Sequence, residues 1–212
     1  MSRLPSFIRQ HIAGLRALLV FTIITGVLYP LVVMGIAQVA FHKQANGSLV
    51  SYQGKVVGSS LLCQEFTDAK GNPLPQYFQP RPSNAVNSAV KTDYGCDPGF
   101  SAASNLGPNN PTLVQLIKQR RAQVAKFNRV SPASVPPDAI TASASGLDPA
   151  ISPQYAYLQV NRVAAARHVS AAAVRALVTS YIQGRTLGFL GEPRVDVLTL
   201  NIALDQKFPI RH

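Results

Sequence analysis

The 212-residue chain has no tryptophan, two cysteines, four histidines and nine acidic residues against 20 lysines and arginines. Each scarcity narrows the chemistry available. Cys63 and Cys96 are not spaced as C-x-x-C, and nowhere do four Cys or His ligands cluster, which argues against a zinc site. The acidic residues are too few and too dispersed for a two-carboxylate or metal site. No G-x-x-x-x-G-K-[ST] phosphate loop is present. His11 and His42 flank an apolar run and His212 is terminal, so only His168 is placed to enter a site. A Ser–His–acid set can be drawn around it on paper, but no nucleophile-elbow motif accompanies it. Internal repeats and low-complexity tracts are absent too.

What the chain does have is one long uncharged run, Ala17 to Phe41, 25 residues between Arg16 and His42-Lys43. As a helix it would extend roughly 38 Å, and a bilayer core needs about 20 apolar residues. The run is much longer than the about 7–15 residues of a secretory signal, and Gln38 would be a poor −3 residue for cleavage after Ala40. An uncleaved single span is therefore expected. Arg3, Arg9 and Arg16 precede it and Lys43 stands nearly alone behind it, so the positive-inside rule keeps residues 1–16 cytoplasmic and exports residues 42–212. Pro30 predicts a kink near residues 26–30. Gly26 and Gly35 offer small surfaces for another helix. Together with Pro30 they are the candidate intramembrane partner contacts.

Sixteen of the basic residues and all nine acidic ones follow Gln44, so that part carries +7. The charges are scattered, without aromatic-basic interleaving, which favours adhesion to anionic headgroups near an anchor over nucleic-acid binding. On the exported side, Cys63 and Cys96 are a candidate disulfide; two buried free thiols are the alternative. Residues 44–66 read as one or two short strands joined by turns. Residues 67–111 are rich in turn formers, and Tyr77, Phe78, Tyr94 and Phe100 suggest a packed loop. Asn110-Pro111, Ser152-Pro153 and Ser170 each start a helix, the third ending at Gly184. Arg194 to Leu200 reads as a strand, followed by a short helix capped by Asn201. The expected fold is a mixed α/β (α+β) domain on a single N-terminal transmembrane helix.

Six motifs follow the span in order: G-S-x-L-x-x-Q-x-F at Gly58–Phe66, Y-F-x-x-R-P-S at Tyr77–Ser83 and S-N-L-G-P-x-N-P at Ser104–Pro111. V-P-x-D-x-x-T-A-S-x-S-G-L-D spans Val135–Asp148, R-V-A-x-A-R spans Arg162–Arg167, and L-G-F-L-G-E-P-R-V-x-V-L-x-L-N-x-A-L-D spans Leu187–Asp205. In these the chain resembles the C subunit of the Kdp-type potassium-transporting ATPase over nearly its full length. The sequence departs from that pattern at Cys63, at Pro80 and from Cys96 to Ala103. Against the family pattern the two cysteine changes fall in neighbouring blocks, which supports their pairing.

The resemblance implies a non-catalytic subunit of an inner-membrane complex that takes up potassium, needed for assembly and activity and described as a catalytic chaperone for ATP use. Its implied partners are a channel-like potassium-translocating subunit and a P-type ATP-hydrolysing subunit, beside membrane lipid. The complex uses ATP, Mg2+ and K+; no cofactor falls to this chain, which lacks the D-K-T-G phosphorylation motif. Gln64, Arg81, Ser83, Asn105, Asp148, Arg162 and Arg167 are the motif residues implied to be structural or partner-facing. Read from the residues alone, a hydrolase built on His168 and a basic module for anionic envelope polymers stay open as rivals.

Overall fold

The computed structural model describes residues 5–87 and 95–210; Arg3, Tyr94 and His212 lie outside them. The chain separates into two compact units, Met1–Ser48 and Leu49–His212.

The first unit is one apolar helix, Ser6–Ala40, long and apolar enough to cross a membrane. It begins 11 residues before the uncharged run. It comprises α1 (Ser6–Ile23), a π-helical turn (Ile24–Leu28) and α2 (Tyr29–Ala40). Pro30 explains the wide turn: it has no N–H to give the carbonyl of Gly26, and its ring crowds that carbonyl. Tyr29 N–H instead bonds back five residues to the Ile24 carbonyl. The helix breaks at Phe41, and a one-turn α3 (His42–Ala45) follows. There Asn46 Nδ2 donates to Gln38 Oε1 (3.1 Å) and to the His42 carbonyl (2.7 Å). Large apolar side chains along the helix are exposed, Val39 by 89%.

The second unit is mixed α/β. A hairpin pairs β1 (Leu49–Tyr52) with β2 (Lys55–Ser59) across a Gln53-Gly54 turn, with a bulge at Val50/Ser51. Both turn residues have positive φ, the condition for a two-residue hairpin that follows strand twist. Helices α4 (Pro111–Asn128), α5 (Pro153–Ala166) and α6 (Ala171–Ser180) start where their caps place them. Asn110, Ser152 and Ser170 side chains accept from the N–H groups of Thr112, Tyr155 and Ala173. A two-residue β3 (Ala150–Ile151) pairs antiparallel with β4 (Val195–Asp196), and α7 (Val197–Lys207) closes the unit. The core gathers Phe78, Val160, Val163, Val174, Val178, Val195, Leu200 and Leu204, each fully buried.

Four expectations from the sequence fail here. Arg194 to Leu200 is not a strand beyond Asp196. The Asp196 carboxylate caps the Thr199 N–H (2.7 Å) and starts a helix, and burial of Val197, Leu198 and Leu200 outweighs β-propensity. Asn201 is therefore mid-helix rather than a cap. Helix α6 stops at Ser180, four residues before Gly184, because the chain turns out at Tyr181 to pair Gln183 with Arg194. In the loop over 67–111, Phe78 is buried and Phe100 is 46% exposed. Phe100 therefore contributes little to the packing of that loop.

Candidate functional site

Residues Gln76–Gln79 run through the unit outside any regular strand, yet Phe78 is wholly buried. Buried main chain requires partners, and here side chains supply them. Asn201 from α7 takes the Phe78 N–H on Oδ1 and gives Nδ2 to the Phe78 carbonyl, both at 2.9 Å. Gln159 from α5 does the same for Gln79, at 2.8 and 3.1 Å. Each amide stands in for the neighbouring strand that is missing. Gln79 in turn donates to the carbonyls of Phe66 and Leu74.

Two arginines on α5 and at its C-terminal end complete this clamp. Arg162 donates to the Pro75 carbonyl, the Tyr77 carbonyl (2.9 Å), Gln159 Oε1 (2.7 Å) and Asn128 Oδ1 (2.9 Å). Burial pulls its guanidinium down to about 10, offset in part by Tyr155. It stays charged at neutral pH, surrounded by acceptors. Arg167, its side chain fully buried, reaches the Gln76 carbonyl (2.7 Å), the Phe208 carbonyl (2.8 Å) and Asp205 (2.7 Å). Asp205 also accepts from the Tyr77 hydroxyl (3.2 Å). Burial, then the Asp205 charge, pushes that phenol above its usual value.

A second knot ties Arg81, Ser83 and Asp148 together. Arg81 Nη1 meets Asp148 at 2.8 Å and Nη2 the Thr141 carbonyl at 3.4 Å; its Nε is buried and has no partner among the described residues. Ser83 Oγ donates to the Gly146 carbonyl (2.7 Å) and accepts from the N–H groups of Ala85 and Cys96. Gly146 has φ +75, and a Cβ there would lie 2.7 Å from Ala85 Cβ and from the Ala102 carbonyl oxygen. Only glycine fits this crossing. Cys63 and Cys96 are joined as a disulfide beside it, with Cys63 Sγ 3.2 Å from the Gly146 carbonyl oxygen.

The remaining motif residues lie apart from both knots. Gln64 lines a cavity of about 490 Å³ with Gly58, Cys63, Glu65, Cys96 and Leu198, and its Oε1 is buried with no partner among the described residues. Asn105 is exposed, with φ 51. His168 sits in a depression of about 400 Å³ whose lining includes neither a serine nor an acid. Among the described residues no three His, Cys, Asp or Glu side chains are grouped to hold a metal. In the first unit, Gly26 and Pro30 are one turn apart; Gly35 lies about 140° around the helix from Pro30 at 100° per residue. Among the described residues nothing lies within 4 Å of a Cβ built at Gly35.

Sequence reasoning missed Gln79, Gln159, Asn201 and Asp205. A signal existed: Gln159 and Asn201 interrupt the apolar faces of their own helices, where an amide must have a partner.

The family described as K+-transporting ATPase, c chain (KdpC), matches residues 11–206. The chain belongs to this family. It is 49% identical over 92% of both chains to the potassium-transporting ATPase KdpC subunit of Streptomyces avermitilis. It is 48% identical to that of Streptomyces coelicolor, again over 92% of each chain. The KdpC subunit of Beijerinckia indica is 46% identical over 95% of this chain and 96% of its own. Both knots, apart from the Phe208 carbonyl, and the helix from His11 onward fall within the region matched to the family.

Proposed function

We propose that the chain is the accessory C subunit of an ATP-driven potassium uptake complex, not itself catalytic. Residues 17–41 anchor it, residues 1–16 are cytoplasmic and residues 42–212 face the exported side of the inner membrane. The partners are a channel-like potassium-translocating subunit and a P-type ATP-hydrolysing subunit. One observation supports the reading: three motif arginines are spent within the fold. Arg162 and Arg167 hold Gln76–Gln79, and Arg81 holds Asp148. Groups so occupied are a scaffold for a surface rather than the working parts of a catalyst.

ATP fits this domain poorly. The sequence has no phosphate-cradling loop, and the two outer nitrogens of Arg81, Arg162 and Arg167 already meet acceptors. Orientation places the domain across the membrane from cytoplasmic ATP. Any chaperone-like effect on ATP use therefore travels through the span and the docked subunits. A +7 domain is also a weak collector of potassium. Within the bilayer, Gly26 and Pro30 present a small surface at the π turn, where a partner helix approaches closely. Gly35 serves a second contact on another face.

The test is co-expression with the two large membrane subunits. The chain co-purifies with both, and its deletion abolishes growth at low potassium. Isolation as a lone protein, with growth unaffected by deletion, contradicts the proposal.

A further inference from the structure

The π turn in the span passes over one backbone carbonyl. In an α-helix the Thr25 carbonyl takes the N–H of Tyr29, and in a π turn it takes the N–H of residue 30. The Tyr29 N–H goes to the Ile24 carbonyl instead. Residue 30 is proline, which has no N–H to give. Neither helical donor therefore serves Thr25. Its own hydroxyl is committed one turn back, donating to the Phe21 carbonyl at 2.7 Å.

Depth makes that deficit costly. Thr25 is the ninth residue of the uncharged run Ala17–Phe41, roughly 12 Å inside it as a helix. Hydrocarbon offers a bare carbonyl no water. The flank beside it is open, since a Cβ built at the adjacent Gly26 would meet Thr22 Cγ2 at 4.0 Å and nothing closer. A neighbouring helix can come close there. A cationic donor is a poor occupant: the first acidic residue of the chain is Glu65, so the span has no carboxylate to meet a lysine or arginine in the bilayer. A second copy is a poor one too. Its Thr25 hydroxyl is committed in the same way, and its Gln38 amide is held by Asn46 at the far end of the span.

We propose that the Thr25 carbonyl accepts a hydrogen bond from a neutral donor side chain, a hydroxyl, amide or indole N–H, on a membrane-spanning helix of a partner subunit. This rests on the reading that the chain is a subunit of a membrane complex, and it names what the Gly26–Pro30 surface receives.

Cys63 allows the full chain to be joined from a synthetic segment 1–62, with carbon-13 and oxygen-18 at the Thr25 carbonyl, and an expressed segment 63–212. The infrared band of that carbonyl is read for the chain alone in lipid and for the assembled complex. It is expected at the frequency of an unbonded carbonyl in lipid and at a lower frequency in the complex. A band already low in lipid, bonded by water or by a second copy, overturns the proposal. So does a band that does not move on assembly. Pro30→Ala restores an N–H and removes the difference between the two states. In co-expressing cells the same variant lowers recovered partner roughly fivefold, the worth of one hydrogen bond. The α-hydroxy acid of alanine at position 30 has alanine's shape without the N–H, and it keeps recovery unchanged. Equal losses in both variants would credit the proline ring and overturn the proposal. If the unsubstituted chain recovers no partner, the subunit reading itself fails. If it assembles and the band stays in place, only the hydrogen bond fails.

Discussion

Gln76–Gln79 and Gln183–Arg194 are both short stretches outside long strands or helices, and they dispose of their groups in opposite ways. In the first, the main chain is buried and its partners come from Gln159, Arg162, Arg167 and Asn201, far along the chain. In the second, the main chain satisfies itself across a narrow turn and the apolar side chains point outward. The first geometry spends distant polar side chains to fix a backbone, which is a folding device. The second keeps apolar surface exposed on a fixed frame, where it adds little to folding. Stability therefore rests on the first stretch and hardly on the exposed side chains of the second.

The sharpest way to break that division is Arg167→Ala. It leaves the Gln76 and Phe208 carbonyls without the guanidinium and Asp205 with the Tyr77 hydroxyl but no charged partner, so denaturant unfolding of the full chain should show a loss of about 4 kcal/mol. Phe189→Asp should change stability by less than about 0.5 kcal/mol. Equal losses would erase the distinction.

The disulfide comes next. It closes a 33-residue separation beside the Arg81–Asp148 knot. Reduction should lower stability by about 3 kcal/mol, while partner recovery at a temperature below the new midpoint stays unchanged. Loss of partner without loss of stability would make that knot a binding element.

The smallest effect concerns Asp196. Burial raises its carboxyl above the ordinary aspartate value, more than the hydrogen bonds from Thr199 lower it. The folded state thus holds that proton to higher pH than the unfolded chain. Its contribution favours folding at low pH and falls away as pH rises through the folded value. Asp196→Asn keeps the cap and should flatten this decline, with a change at neutral pH under about 1 kcal/mol. A steeper decline in the variant would show that the charged form is the better cap.

The helices and their starts were legible because capping is local: Asn110, Ser152 and Ser170 each sit two or three residues from the N–H they serve. So was the irregularity ahead of Pro30, since a missing donor acts one turn away. The start of α7 was not, because β-branched Val195 and Val197 outweighed the Asp196 cap in a propensity reading while burial decided the outcome. The clamp on Gln76–Gln79 was invisible for a different reason. Its partners are 80 and 123 residues away, and nothing local in Asn201 distinguishes a cap from a stand-in for a strand. The Gln183–Arg194 stretch was visible as a motif but not as a surface, since exposure of Leu187 and Phe189 depends on the turn that holds them.

The claim on which the account turns is that the domain faces away from ATP and works through docking. Gln206 is exposed near the end of α7, so Gln206→Cys places one accessible thiol on the domain while Cys63 and Cys96 are joined. An impermeant thiol reagent applied to intact cells should label this variant fully. Labelling only after the membrane is opened would contradict the account, place the domain with ATP and return direct nucleotide contact to the leading explanation.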